Sequence, residues 1–184
     1  MSATDITTTD TSSGTIRHKA RAGKYLTFQL AAEVYGLEIL KVREIMGLMK
    51  ITRVPQSSSH IRGVINLRGK VIPVLDLRRR FGMEITPDTE QTCVIVVDIV
   101  TGEGTIMMGV VVDAVSEVLD VAQNQIENAP SLGSQDETAY LLGIAKIKNE
   151  VKILLDIDQV VTSADCASLG SAGCPGKVST EAMA

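Results

Sequence analysis

Short apolar runs, broken every five to ten residues by glycine, asparagine or charge, fill the chain between residues 23 and 162. Leu26, Phe28 and Leu30 alternate with Tyr25, Thr27 and Gln29, the two-residue period of a half-buried strand. The runs Cys93–Val97 and Ile106–Val112 flank Thr101-Gly102-Glu103-Gly104, which predicts a hairpin with a glycine-rich turn. A second hairpin is predicted from Val64–Leu67, the turn Arg68-Gly69-Lys70, and Val71–Leu75. Pro73 lacks a backbone donor, so its strand is expected at a sheet edge or a bulge. Helical signals are short: Ser57–Arg62, Asp76–Phe81 and Asp156–Val161. Asp76 and Asp156 are expected N-caps, because a carboxylate accepts from the free N–H groups of a first helical turn.

The pattern repeats within the chain. His60–Phe81 (HIRGVINLRGKVIPVLDLRRRF) aligns without gaps on Tyr140–Val161 (YLLGIAKIKNEVKILLDIDQVV), eighty residues later. Gly63 meets Gly143, Val71 meets Val151, Leu75 meets Leu155 and Asp76 meets Asp156. Gly69 meets Asn149, the two residue types that best tolerate positive φ, so both copies call for the same tight turn. A weaker repeat sets Val34–Met46 on Met107–Leu119, with Gly36 on Gly109 and Glu44 on Glu117. The order of the two repeats is the same in each half. This gives a duplicated unit of about five strands, near 24–81 and 92–161. Five short strands hide their edges by curling into a small barrel, so two barrels with a groove between them are expected.

Composition narrows the function. Hydrophobic residues make up 45% and aromatics only 3%, with no Trp, so Val, Ile, Leu and Met must build the core. A net charge of −4 argues against a general nucleic-acid binder. Residues 1–22 and 163–184 are polar or small and are expected to be disordered tails outside a folded part at 23–162. Cys93, Cys166 and Cys174 are odd in number and unclustered, which does not suggest a disulfide framework. No membrane span or secretory signal is evident, and a cytoplasmic location is the default expectation.

Catalytic constellations are missing. His18 lies in a tail and His60 at an expected helix start, so neither a metal cluster nor a nucleophile–histidine pair is supported, and no cofactor is expected. The Arg78-Arg79-Arg80 run reads as a solvated helix face. What remains suits binding: Met46-Gly47-Leu48-Met49 as core or contact surface, and Arg68 at a hairpin tip. A barrel that binds nucleic acid or a small ligand is the alternative, but it would need an aromatic-studded basic face.

Three stretches carry a family resemblance: Tyr35–Ile45 (YGLEILKVREI), Ile61–Arg78 (IRGVINLRGKVIPVLDLR) and Gly109–Leu119 (GVVVDAVSEVL). They resemble the CheW-like family of bacterial chemotaxis coupling proteins, over about residues 24–161. The resemblance implies an all-β fold of two intertwined five-stranded SH3-like barrels with a few short helices. It also implies a non-catalytic adaptor between the cytoplasmic tips of chemoreceptors and the regulatory domain of the CheA histidine kinase, recruited to membrane-associated receptor arrays without entering the membrane. Ile39, Val42, Glu44 and Arg68 match the family's receptor-contacting positions, and Ile51, Arg62 and Gly63 match positions near the kinase contact. The same domain occurs in the kinase and in CheV-type adaptors. The chain lacks the length for the kinase's other domains, and the residues after Val161 are too few for a receiver domain, so a stand-alone coupler is expected.

Overall fold

The computed structural model describes residues 19–130, 138–161 and 165. Its strands are β1 (Gly23–Leu30), β2 (Glu33–Glu38), β3 (Val42–Gly47), β4 (Ile61–Leu67), β5 (Lys70–Asp76), β6 (Cys93–Thr101), β7 (Gly104–Val112), β8 (Ala114–Val121), β9 (Ile126–Glu127), β10 (Leu141–Ile147) and β11 (Glu150–Leu155). Among the described residues the named helical elements are short, 3-10 turns at Ile39–Lys41 and Gln123–Gln125 and single α turns α1 (Leu77–Arg80) and α2 (Ile157–Val160), and Asp165 is also helical. Asp76 caps α1, its carboxylate accepting from the N–H groups of Arg78 and Arg79, and Asp156 caps α2 by accepting from Asp158. Both expected caps are therefore present.

The strands form two sheets, one in the order β8-β1-β2-β11-β10-β9 and the other β3-β6-β7-β5-β4. The isolated bridge between Thr52 and Val64 extends the second sheet at the place that β9 takes in the first. Exchanging the two halves of the chain converts one order into the other. The halves are thus intertwined: β1 and β2 of the first half sit in the sheet otherwise built by the second, and β6 and β7 do the reverse. The exchange is sealed by two parallel pairings, β5 with β7 through Val74 and Gly109, and β11 with β2 through Leu154 and Gly36. The paired glycines of the weaker repeat are explained here. A Cβ at Gly36 would lie 2.9 Å from Leu154, and one at Gly109 would lie 2.9 Å from Val94 and 3.3 Å from Val74.

Each sheet curls over its own core. Leu119 and Val121 of β8 share a cluster with Ile126 of β9, although these strands end opposite sides of the first sheet. Met46 of β3 likewise shares one with Ile65 and Leu67 of β4, at opposite ends of the second. A larger cluster lies between the barrels and draws on both sheets, among them Phe28, Leu37, Leu75, Ile95, Val97, Met108 and Leu155. Four of the chain's five aromatic rings stack in series here: Phe28, Tyr35, Phe81 and Tyr140, with centroids 4.9 to 6.0 Å apart.

Several local expectations are corrected. Residues Ser57–Arg62 are not helical: Ser57 donates its hydroxyl to the Val54 carbonyl, Ile61 N–H bonds the Ser58 carbonyl, and β4 begins at Ile61. The Ser57 side chain and a tight backbone turn take the bonds a helix would need. Pro73 is not on an edge strand, since β5 lies between β7 and β4, but the other expected setting is close by: the β4–β5 register shifts between Ile61 and Gly63, beside the Val64–Pro73 pair. Pro73 is tolerated because the opposite residue, Val64, directs both its N–H and C=O to Thr52, and the ladder with β7 begins only at Val74. The folded part also exceeds 23–162. Ala20 is buried and donates to the Leu142 carbonyl, Arg21 C=O accepts from the Tyr25 hydroxyl, and Asp165 is 1% exposed. The rest of the two expected tails lies outside the described residues.

Candidate functional site

The first group of sequence-selected residues lies along the 3-10 turn, β3 and the β4–β5 turn. Ile39 and Val42 are half-buried and pack on the central cluster, one in the 3-10 turn and one at the start of β3. Leu40, between them, is 92% exposed. A register shift between Val42 and Glu44 re-aims the strand. Glu44 then accepts a hydrogen bond from Arg68 Nη2 at 2.7 Å. Glu44 is on β3 and Arg68 on the β4–β5 turn, so the pair joins the two ends of the sheet. With Arg68 75% and Glu44 31% exposed, it contributes at most about 1 kcal/mol to stability.

Arg68 reaches this position through an unusual turn. Arg68 (φ 52°) and Gly69 (φ 82°) are both left-handed, as are Lys148 (φ 51°) and Asn149 (φ 64°) in the second half. Two successive positive φ values match the twist of a two-residue hairpin, and Asn66 Oδ1 accepts from Gly69 N–H to hold it. The expected equivalence of Gly69 and Asn149 is therefore met. The charges above the turns are not equivalent. Among the described residues Lys148 forms no ion pair, and Glu117, the counterpart of Glu44, is tied by its backbone to the Thr27 hydroxyl.

The second group, Ile51, Arg62 and Gly63, lies on β4 and on the segment that bridges it, at one end of the same sheet. Ile51 packs on the barrel core, and Thr52 bridges Val64. Gly63 (φ +144°) has no room for a side chain, because a Cβ would lie 2.1 Å from the Thr52 carbonyl oxygen. Arg62 grips Asp88 with two bonds, Nη1–Oδ1 at 2.9 Å and Nη2–Oδ2 at 2.7 Å. That fork pins the loop joining the two halves to β4. The hydrogen bond to Asp88 raises the Arg62 pKa, and the same bond lowers that of Asp88, in each case against a smaller opposing effect of burial.

Sequence reasoning missed three of these elements. The arginine run is not a free face: Arg78 Nε bonds Asp113 Oδ1 at 2.7 Å, Arg79 lies 3.7 Å from Asp76, and Arg80 Nε bonds the Val160 carbonyl at 2.7 Å. The Arg78 bond, ahead of other causes, holds Asp113 below its usual carboxylate range. His60 is largely buried and its Nε2 pairs with Asp165 Oδ1. A cleft of about 260 Å³ near α2 gathers Lys19, Arg21, Lys41, Glu38, Asp156 and Asp158, and its Lys41 and Asp158 pair at 2.6 Å. Among the described residues no three His, Cys, Asp or Glu side chains are placed to hold a metal, and no helix is long and apolar enough to cross a membrane.

Two small β-barrels that trade strands, with outward turns carrying an asymmetric charge pair, define an all-β, two-barrel SH3-like class of protein. The chain belongs to the CheW-like family, whose domain model matches residues 24–165. It is 38% identical over 144 residues to the chemotaxis protein CheW of Klebsiella aerogenes, covering 78% of this chain and 84% of that one. It is 32% identical to the chemotaxis protein CheW of Bacillus subtilis, covering 75% and 86%. A crystal structure of the scaffolding protein TtCheW from Thermoanaerobacter tengcongensis superposes with a TM-score of 0.68 at 37% identity, covering 76% of this chain and 92% of that one.

Proposed function

We propose that this chain is a non-catalytic chemotaxis scaffold that couples the cytoplasmic tips of chemoreceptors to the regulatory domain of the CheA histidine kinase, within membrane-associated arrays. Its family membership supports the chemotaxis role. The observation that carries the residue assignment is the Glu44–Arg68 pair, formed in one barrel and, among the described residues, without a counterpart in the other. Ile39, Val42 and the fully displayed Leu40 shortly precede Glu44 along the chain, which offers an apolar contact near a fixed charge. Such a pairing of apolar anchor and oriented charge suits a helical receptor tip, where the charge sets register. Ile51, Arg62 and Gly63 form a separate edge, assigned to the kinase regulatory domain. Two faces on one rigid core let a single chain hold both partners at once.

Titration calorimetry with a soluble receptor-tip fragment and with the isolated kinase regulatory domain tests this. Leu40→Ser should weaken receptor binding by about ten-fold or more, the loss expected of an apolar anchor, and leave kinase binding within two-fold. Equal weakening of both, or of neither, would contradict the assignment of faces.

A further inference from the structure

Asp165 is the most deeply buried carboxylate among the described residues at 1% exposure, and the proposed coupling role leaves it unused. Its partner His60 belongs to the other half of the chain. The repeat shows why the contact exists. His60 is the counterpart of Tyr140, and the two make the same backbone bond: Asp76 N–H to the His60 carbonyl and Asp156 N–H to the Tyr140 carbonyl, each 2.8 Å. Each also receives a group from beyond the short helix of the opposite half. Phe81, at the end of α1, stacks on Tyr140 with centroids 4.9 Å apart. Asp165, beyond α2, pairs with His60. The two halves are therefore tied reciprocally, once by apolar stacking and once by a polar pair.

The polar tie meets the kinase-facing edge. His60 immediately precedes Ile61, Arg62 and Gly63, and its turn is held by Ile61 N–H on the Ser58 carbonyl (2.9 Å) and Arg79 Nη1 on the Ser59 carbonyl (3.4 Å). Asp76, bonded to His60, also lies 3.8 Å from Arg62. We propose that Asp165 is a latch: by holding His60 it fixes the turn that leads into β4, and so sets the conformation of the edge carrying Arg62 and Gly63. The regulatory consequence rests on the kinase reading above; the latch itself does not.

Amide exchange resolved by residue tests the latch without any partner. In Asp165→Ala the Ile61 and Asp76 amides should exchange about ten-fold faster or more, as in local opening, while Asp156 and the β6–β7 amides keep their protection. His60→Gln should reproduce the pattern. Unchanged exchange at Ile61 and Asp76 would overturn the proposal. So would a uniform rise through both halves, which would make Asp165 only a contributor to global stability. Binding of the kinase regulatory domain is measured in parallel. If the unaltered chain binds it, Asp165→Ala should weaken binding several-fold, and undiminished binding would overturn the link to that edge. If the unaltered chain does not bind it, the kinase reading fails while the exchange data still decide the latch.

Discussion

At the scale of single residues, close approach and charge pairing set what can be changed. Gly63 cannot carry a methyl group, since the Thr52 carbonyl would lie 2.1 Å from it and backbone cannot step aside cheaply. Gly63→Ala should cost more than about 2 kcal/mol in urea unfolding, as overpacking against fixed atoms does. Asp76→Ala should cost about 1 to 2 kcal/mol, because its carboxylate caps two amides. The two forked pairs give a pH signature. Asp88 and Asp113 have lowered folded pKa values because Arg62 and Arg78 bond them. A depressed carboxylate pKa contributes stability that is present above the unfolded value, near 4, and lost as pH falls through the folded one. The stability gap between the native chain and an Asp88→Asn, Asp113→Asn variant should therefore be full at pH 6 and shrink steadily below about pH 4. A gap independent of pH would remove these pairs from the stability account. Gly63 was legible in the sequence because its repeat partner is also glycine. The Arg62–Asp88 and Arg78–Asp113 pairs were not, since partners 26 and 35 residues apart leave no periodic trace.

At the scale of elements, turn chemistry and hydrophobic period carried most of the reading. The hairpins at Val64–Leu75 and Ile144–Leu155 followed from the ungapped repeat, and their turns share left-handed backbone at both central positions. Asn149→Gly should change stability by less than about 0.5 kcal/mol, whereas Asn149→Val, branched at Cβ, should cost about 1 kcal/mol or more. Equal effects in thermal unfolding would mean that the turn relaxes. The failures have physical causes. Ser57–Arg62 lacked the apolar spacing of a helix; the Ser57 hydroxyl bonds nearby backbone and Ser58–Ile61 closes a turn instead. Pro73 read as an edge or bulge residue because a missing donor is usually tolerated there; it lies in an inner strand beside a register shift, and the Thr52 bridge relieves the opposite strand of its need for a donor. Strand exchange between the halves is invisible to local pattern, since β6 and β7 bury the same faces whichever half they pair with. Family resemblance, not periodicity, supplied the intertwining.

At the scale of the whole molecule, a near-symmetric duplication carries an asymmetric charge pair. Both barrels share strand order, turn geometry and helix caps. They differ in what stands above the turn: Arg68 bonded to Glu44 in one, Lys148 without an ion pair among the described residues in the other. The charge alone was legible in the sequence, but the pairing was not, because it depends on the barrel bringing β3 back to the β4–β5 turn. The proposed role puts this pair on the receptor-contacting face of a chain that couples receptor to kinase. Kinase autophosphorylation in complexes reconstituted from receptor in membranes, the histidine kinase and this chain tests it most directly. Arg68→Glu opposes two carboxylates on the face yet alters an exposed site, so the fold should persist by circular dichroism while receptor-dependent kinase activation falls about ten-fold or more. Lys148→Glu, at the equivalent turn, should retain at least half the activation. Equal activation by the native chain, Arg68→Glu and Lys148→Glu would contradict the account.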